Sequence, residues 1–263
     1  MEAKYRHLEV QDHAGVLRIT LNRPEVHNAF NRELIDDLQA AFGRLHDSAG
    51  AVRAVVLAGA GPSFCAGADV NWMRASVDYS EAENVADALH MAHMLDSVDR
   101  CPVPVIARVH GAALGGGVGL VAACDIAIAA EGTRFAFSEA KLGIAPAVIS
   151  TFVLPKIGQG NARALFFTAE RFGAERALRI GLVHDVVPVG ELDAAVDRLV
   201  GEIRSSAPHA ITAAKRLLAA VPGLDRDQAI QLTAETIAAL RTGPEGQDGL
   251  RAFLEKRKPG WVE

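Results

Sequence analysis

Residues 102–130 have the sequence PVPVIARVHGAALGGGVGLVAACDIAIAA, and the pattern of this segment indicates the fold class. It opens and closes on short apolar runs rich in β-branched residues, which is how buried parallel strands read in a sequence. Gly115–Gly117 separate the two runs and permit a tight turn into a closely packed helix. The part from Val109 to Ala130 is long enough to cross a bilayer, but five glycines and Asp125 interrupt it. We therefore predict strand, turn, helix and strand.

The preceding sequence has the same pattern of a buried strand followed by a loop of small residues. RAVVLAG (Arg53–Gly59) reads as another buried strand, and the Gly/Ala loop GAGPSFCAGADV follows it. Leu17, Ile19 and Leu21 alternate with polar residues, as in a half-buried strand. Strands that alternate with helices favour an α/β fold with largely parallel pairing, built as a superhelix of repeated turns. From about residue 148 onward the chain reads as helix after helix.

Capping residues mark several helix starts. Asn31 is predicted to cap a helix with one apolar face, and Asp69 to cap another directly after the loop. A third helix is predicted over Ser80–Asp99. Ile230 to Leu240 have helical spacing, and Gly243-Pro244 ends that pattern before a short basic helix.

Composition excludes several classes of protein. The 263 residues are 50% hydrophobic and 22% charged, which excludes intrinsic disorder. The net charge of −5 disfavours a nucleic-acid binder that relies on bulk positive charge. Three cysteines without a CxxC pair fit a reducing compartment, and no apolar leader is visible. We expect a cytoplasmic protein.

Three stretches could carry chemistry. Ala66, Gly67 and Ala68 let a ligand approach the backbone closely, although a plain tight turn explains them equally well. The triple glycine opens a helix whose N-terminal amides suit an anion or a polarised carbonyl, and it matches neither GxGxxG nor a phosphate-binding loop. Glu139 follows a short strand and is either a general acid/base or a structural partner of Lys141. Its neighbours Phe137, Leu142 and Ile144 are apolar, so we expect burial to favour the neutral acid and to raise the pKa of Glu139 toward the working pH.

Other candidates carry less weight. His90 and His93, three residues apart on a predicted helix, could bind a metal, but a solvated helix face explains them better. The basic tail of Arg251, Lys256, Arg257 and Lys258 is the only feature that favours RNA binding.

Taken together, these stretches resemble the enoyl-CoA hydratase/isomerase (crotonase) superfamily over almost the whole chain. The matching motifs, in order, are LNRPEVHNAFN (Leu21–Asn31), FCAGADV, HGAALGGGVGL, ACDIAIA, SEAKLGIAP, TAERFGAERALRIGLVHDVV and EGQDGLRAFLEKRKP. The resemblance implies a spiral of repeated ββα units over residues 1–190 and a C-terminal helical trimerisation region over 191–263, in one continuous unit. It also implies a homotrimer or hexamer.

The resemblance further implies a site for an acyl-CoA substrate, with no metal and no separate cofactor. The thioester oxygen would be held by the backbone N–H groups of Ala68 and Gly116, and Glu139 would be the catalytic acid/base. Substrate contacts are implied for Val26, His27, Ala29, Ala66, Asp69, Val70 and Gly119, with Phe253 and Lys256 reaching the CoA of a neighbouring subunit.

The chain departs from typical hydratases at two places. Gly119 stands where they carry a first glutamate, and we expect it to leave space for a substrate branch, a polar chain end or a water. IAPAVISTFVL replaces their Gly-rich turn. The combination looks most like bacterial hydratases of branched glutaconyl-CoA esters, such as 3-methylglutaconyl-CoA, for which Arg74, His93 or Arg134 could bind the distal carboxylate.

Other functions stay open beside hydration. A single glutamate also suits an enoyl-CoA isomerase, which moves a proton between C4 and C2. Acyl transfer or thioester hydrolysis would need a second acidic group, and a non-catalytic RNA-binding role rests on the basic tail alone.

Overall fold

The computed structural model describes residues 5–47 and 51–262, with only the backbone of residues 46 and 47. The strands are β1 (Leu8–His13), β2 (Val16–Leu21), β3 (Ala54–Gly59), β4 (Val105–Val109), β5 (Ala112–Leu114), β6 (Ile126–Ala130), β7 (Arg134–Ala136), β8 (Phe172–Gly173) and β9 (Asp185–Val187). The helices are α1 (Arg32–Gly43), α2 (Val70–Ser76), α3 (Glu81–Asp99), α4 (Gly116–Ala123), α5 (Ala147–Thr168), α6 (Ala174–Arg179), α7 (Leu192–Ser205), α8 (Pro208–Ala220), α9 (Arg226–Thr242) and α10 (Pro244–Glu255).

The described strands form two sheets that the chain visits alternately. The larger has the order β1-β2-β3-β4-β6-β9, and the smaller has the order β5-β7-β8. All neighbours in the larger sheet are parallel except β1 and β2. β4 and β6 are each followed by a short strand of the smaller sheet, and after β3 a bridge between Cys65 and Ala113 has the same role. Each turn of this spiral buries the next.

The predicted neighbours in the larger sheet are confirmed. β3 and β4 lie side by side, with Val55 opposite Val105. The Asn31 side chain caps α1 by accepting from the amide of Leu34 at 2.9 Å, as predicted. The sequence missed β9, which pairs with β6 within the part predicted to be helical. A strand of three residues is too short to show the alternation that identifies longer strands.

The C-terminal helices have two kinds of environment. α7 packs against one face of the larger sheet through Leu192, Val196 and Ile203. α8 and α9 have no buried residue and α10 has only Ala252, so these three helices leave large apolar side chains such as Leu218 and Leu254 exposed. No helix among the described residues is long and apolar enough to cross a membrane.

The three thiols lie inside the fold and are free. Burial raises the pKa of Cys65 to about 12 and that of Cys101 to about 11, and it raises the pKa of Cys124 further. Since the thiolate is the nucleophile, none of them is suited to covalent catalysis at neutral pH.

Candidate active site

The loop Cys65–Asp69 lies between two backbone segments and bonds to both. On one side the amide of Phe30 donates to Gly67 O at 2.7 Å, and the amide of Asp69 donates to Phe30 O at 2.9 Å. These two bonds bracket Ala68, so its own N–H faces away from Phe30, as alternation in a parallel bridge requires. Ala68 is exposed, and no acceptor for its N–H lies among the described residues.

On its other side the loop packs against the chain that leads into α4. The amide of Leu114 donates to Cys65 O at 3.0 Å. Gly67 has φ +89°, and a β-carbon there would lie 2.7 Å from Leu114 O and 3.6 Å from the amide nitrogen of Gly116. Only glycine tolerates both the backbone angle and the close approach. The Gly67–Ala68 segment therefore lies beside the first turn of α4.

The N-terminus of α4 is uncapped. Gly115 precedes the helix with φ +49° and supplies no side chain, and its carbonyl accepts from Val118 and Gly119. No acceptor for the Gly116 amide lies among the described residues. A helix start with free amides carries a partial positive charge that favours a developing negative charge nearby.

Glu139 lies directly over this helix start. It belongs to a 3-10 turn, Ser138–Leu142, that follows β7, and a bond of 2.8 Å from the Gly115 amide to Ala136 O ties the two segments together. A β-carbon at Gly115 would lie 3.3 Å from Glu139 Oε1. The structure thus brings Ala68, Gly116 and Glu139 to one place.

The carboxyl group of Glu139 is set up to hold a proton. Its Oε2 is buried and has no hydrogen-bond partner among the described residues. Burial raises the pKa of Glu139, although its own backbone amide partly opposes this. No ion pair between Glu139 and Lys141 is found in the described structure, so the alternative of a salt-bridged structural glutamate is not supported.

The apolar surroundings predicted for Glu139 are partly wrong. Phe137 is fully buried, but Leu142 and Ile144 are each 61% exposed. The turn after Glu139 points these two side chains outward, and the burial comes instead from the inner side, where Gly115 lies.

The expectation of free space at Gly119 is also wrong. A β-carbon there would lie 2.3 Å from Ile149 Cγ2 and 2.8 Å from Ile149 Cβ. Both residues are buried, with α5 packed on α4. Glu139 lies at the residue before α4, and Ile149 packs on the first turn of that helix. Ile149 therefore fills the room that a side chain at this position would need.

We expect Gly119→Ala to destabilise the fold by about 1–3 kcal/mol, because the added methyl overlaps Ile149 in a close-packed core. Ile149→Ala alone should also destabilise, through the cavity it leaves. The double variant should lose less stability than the sum of the two, with a coupling of about 0.5–3 kcal/mol. Urea unfolding of the three variants measures this coupling, and strict additivity would contradict the packing.

Candidate CoA contacts cluster near the loop. Val26 is half-buried, His27 is exposed and Ala29 is buried, and the amide of Ala66 donates to His27 O at 3.0 Å. This segment therefore borders Cys65–Asp69, as the resemblance implied.

The remaining predicted contacts lie in different settings. The side chain of Asp69 is buried and engaged, and its Oδ1 caps α2 by accepting from the amide of Asn71 at 2.8 Å. Val70 is exposed at the start of α2. Phe253, 82% exposed on α10, and Lys256, at the end of that helix, face outward, so their contact with a neighbouring subunit stays a prediction.

Among the described residues, none of the other polar candidates forms a hydrogen bond or an ion pair with Glu139. Arg74 bonds Asn71 at 3.0 Å, and His93 and Arg134 are exposed on α3 and β7. His90 Nε2 lies 2.8 Å from Asp36 Oδ1. Within residues 5–47 and 51–262 no group of three potential ligands could hold a metal ion.

Sequence reasoning missed three residues beside the site. A β-carbon on Gly116 would lie 3.0 Å from Met91 Cε and 3.3 Å from the Phe30 ring, so these side chains form an apolar wall at the helix start. Arg23 pairs with Asp69 at 2.8 Å. Arg23 and Phe30 both stand in the quoted motif Leu21–Asn31, but nothing in the sequence linked Arg23 to a residue 46 positions away.

Comparison with known proteins identifies the family. The sequence profile described as enoyl-CoA hydratase/isomerase matches residues 11–263. The chain belongs to the enoyl-CoA hydratase/isomerase family. It is 35% identical over 242 residues to the short-chain-enoyl-CoA hydratase of Clostridium acetobutylicum, covering 91% of each chain. It is 34% identical over 257 residues to the crotonyl-CoA hydratase of Syntrophomonas wolfei, covering 97% of this chain and 96% of the relative.

Solved structures of the family confirm the crotonase fold. A crystal structure of an enoyl-CoA hydratase from Shewanella pealeana superposes with a TM-score of 0.93 at 37% identity, covering 98% of this chain and 97% of that one. The α/β spiral with a C-terminal helical region is therefore confirmed. So is the prediction that the chain is an enzyme of the enoyl-CoA hydratase type.

Proposed function

We propose that the protein adds water across the C2=C3 double bond of a 2-enoyl-CoA thioester, with Glu139 as its only catalytic side chain. One observation carries this proposal. A buried carboxyl group that favours its neutral form lies against a helix start whose amide, Gly116, has no acceptor among the described residues. The loop that carries the Ala68 amide passes close to it, since a β-carbon on Gly67 would lie 3.6 Å from the Gly116 nitrogen.

In the proposed reaction the two amides hold the thioester oxygen. Protonation at C2 and attack at C3 pass through an enolate-like state that places negative charge on that oxygen. Donors that already point at this charge stabilise the transition state more than the ground state. The apolar wall of Phe30 and Met91 keeps water away from the helix start, which strengthens the interaction.

Glu139 would move both protons. One oxygen donates its proton to C2 as a water oxygen bonds to C3, and the other oxygen accepts the proton that the water loses. The π bond breaks, one C–H and one C–O bond form, and Glu139 ends as it began. No electrons leave or enter, so the reaction needs no redox cofactor, and coenzyme A is part of the substrate.

For the acyl chain we propose a branched or glutaconyl-type ester, because the segments PAVIS and TAERF resemble hydratases of such substrates. The branch has to lie elsewhere than at Gly119, since Ile149 occupies that space. We also propose that α8–α10 assemble the chain into a trimer or hexamer, because these helices expose apolar side chains.

A panel of linear, branched and dicarboxylic 2-enoyl-CoA esters tests the proposal. We expect the enzyme to remove the enoyl absorbance of every ester whose acyl chain fits the site. The highest kcat/KM is expected with a branched ester. Absence of hydration across the whole panel would overturn it.

Isomerisation is a second candidate, which the blocked position at Gly119 favours. A single carboxyl group can carry one proton from C4 to C2 of a 3-enoyl-CoA without any water to orient. Conversion of 3-enoyl esters without hydration of 2-enoyl esters would establish it.

The pH dependence should follow the raised pKa of Glu139. Because the neutral acid donates the proton to C2, kcat/KM should be full below this pKa and fall as the pH rises through it. The midpoint should lie above the ordinary value of a glutamate, about 4.3. Rates measured across pH with one ester give the profile, and a rate that rises through this range would mean that the carboxylate is the working form.

A further inference from the structure

We infer that the buried ion pair between Arg23 and Asp69 is a positioning device that aims the amide of Ala68 at the thioester oxygen. The inference rests on the proposed function, since it assigns Ala68 N–H the role of a donor, and it adds two residues to the machinery. Neither side chain is proposed to touch the substrate.

The ion pair joins the two backbone segments that bracket Ala68. Arg23 Nη2 donates to Asp69 Oδ2 at 2.8 Å, and the side chains are only 11% and 6% exposed. Arg23 Nη1 donates to the carbonyl of Ala29, one residue before Phe30. A single guanidinium therefore clamps the segment at Phe30 to the residue that follows Ala68.

Asp69 uses both of its oxygens and its backbone amide. Oδ2 takes Arg23, Oδ1 takes the amide of Asn71 at 2.8 Å, and the Asp69 amide donates to Phe30 O at 2.9 Å. Burial alone would raise the pKa of Asp69, but the bonds to Asn71 and Arg23 outweigh it and hold the pKa below its usual value. The group is thus a fixed anion at physiological pH.

Asn28 fixes the backbone of Arg23 through a hydrogen bond. The Arg23 amide donates to Asn28 Oδ1 at 2.9 Å, and Asn28 Nδ2 donates to the carbonyls of Ala60 and Ser63, both at 2.8 Å. Asn28 is fully buried and has φ +55°, a conformation that asparagine tolerates better than most residues. These bonds extend from the end of β3 to the 65–69 loop.

The direction of the Ala68 N–H depends on how the loop is seated against Phe30. This N–H lies in one peptide plane with the carbonyl of Gly67 and points the opposite way. Because that carbonyl accepts from the amide of Phe30 at 2.7 Å, the N–H is aimed by the alignment of the loop with the segment at Phe30. The bonds of Arg23 to Ala29 O and to Asp69 hold this alignment in place. Hydrogen bonds between charged groups, such as the one between Arg23 and Asp69, are stronger than neutral ones and are suited to holding this loop in place.

The test uses Asp69→Asn and Arg23→Gln, with Asp125→Asn as the matched control. Asp125 also accepts a backbone amide, that of Val105, at 2.7 Å and a cation, Lys215, at 2.6 Å, but it follows the opposite end of α4. The readout is the carbonyl stretching band of bound [1-¹³C]butyryl-CoA, an unreactive ester, together with kcat and KM for a 2-enoyl-CoA.

In the wild type the band should lie at lower frequency than that of the free ester, because the donors polarise the carbonyl. In Asp69→Asn and Arg23→Gln it should return toward the free value, and kcat should fall about 10- to 100-fold with KM nearly unchanged. Asp125→Asn should leave the band in its wild-type position.

Each single variant leaves one buried charge without its ion-pair partner, which could unfold the protein. The double variant Arg23→Gln/Asp69→Asn is therefore included. It should be more stable than either single variant and still show the weakened polarisation. A wild-type band position in a folded Asp69→Asn or double variant would overturn the inference. Failure of the wild type to hydrate any ester would overturn the proposed function instead, since the band needs binding but no turnover.

Discussion

Replacing Glu139 by glutamine should lower kcat by about 10²–10⁴-fold, the range typical of a lost general acid/base. Glutamine has nearly the same shape and fits the same turn, but its amide cannot give up a proton to C2. The affinity for the CoA ester should change little, because binding depends on backbone groups of the protein and on the CoA part of the substrate. Steady-state kinetics with a 2-enoyl-CoA gives both parameters.

Glu131→Gln provides the matched control. Glu131 is exposed directly after β6 and lies in the same region of the chain, so the same change in charge should leave kcat within about twofold of the wild type. A Glu139→Gln variant with the full rate would remove hydration and isomerisation together, since both use this carboxyl group.

Replacing Gly116 by proline should cost about 10²–10³-fold in kcat, because it deletes one of the two proposed donors. Gly116 is the first residue of α4, where proline is tolerated and no intrahelical bond is lost. The fold should therefore survive the change.

Gly116→Ala separates the donor from the added bulk. Alanine keeps the N–H and brings a β-carbon to 3.0 Å from Met91 Cε, the end of a flexible side chain that can shift. We expect Gly116→Ala to keep most of the activity that Gly116→Pro loses. Equal losses of kcat in the two folded variants would mean that the added atoms, and not the missing N–H, cause the effect. That result would contradict the donor role of the Gly116 amide.

Local signals in the sequence predicted the elements that hold the site. Asn31 and Asp69 cap the helices where capping chemistry places them, and the apolar runs form the parallel strands. The sequence also predicted that the pKa of Glu139 is raised, because a carboxyl group that follows a buried strand lies close to the core.

What the sequence could not predict depends on how distant segments pack. Ile149 fills the space at Gly119 only because α5 lies across α4, and the two residues are far apart along the chain. The outward direction of Leu142 follows from a 3-10 turn that starts without a capping side chain, so its start carries no sequence signal, although the left-handed Gly143 marks its end. The pairing of Arg23 with Asp69 likewise joins two loops that are 46 positions apart in the sequence and meet only in the folded structure.

Incubation of a 2-enoyl-CoA with the enzyme in ¹⁸O-labelled water, followed by mass spectrometry of the product to locate the label, shows whether Glu139 drives hydration. Hydration with Glu139 as the only acid predicts a 3-hydroxyacyl-CoA with one ¹⁸O at C3 from the wild type, and almost none in the same time from Glu139→Gln. An unlabelled product, or equal labelling by both proteins, would contradict it.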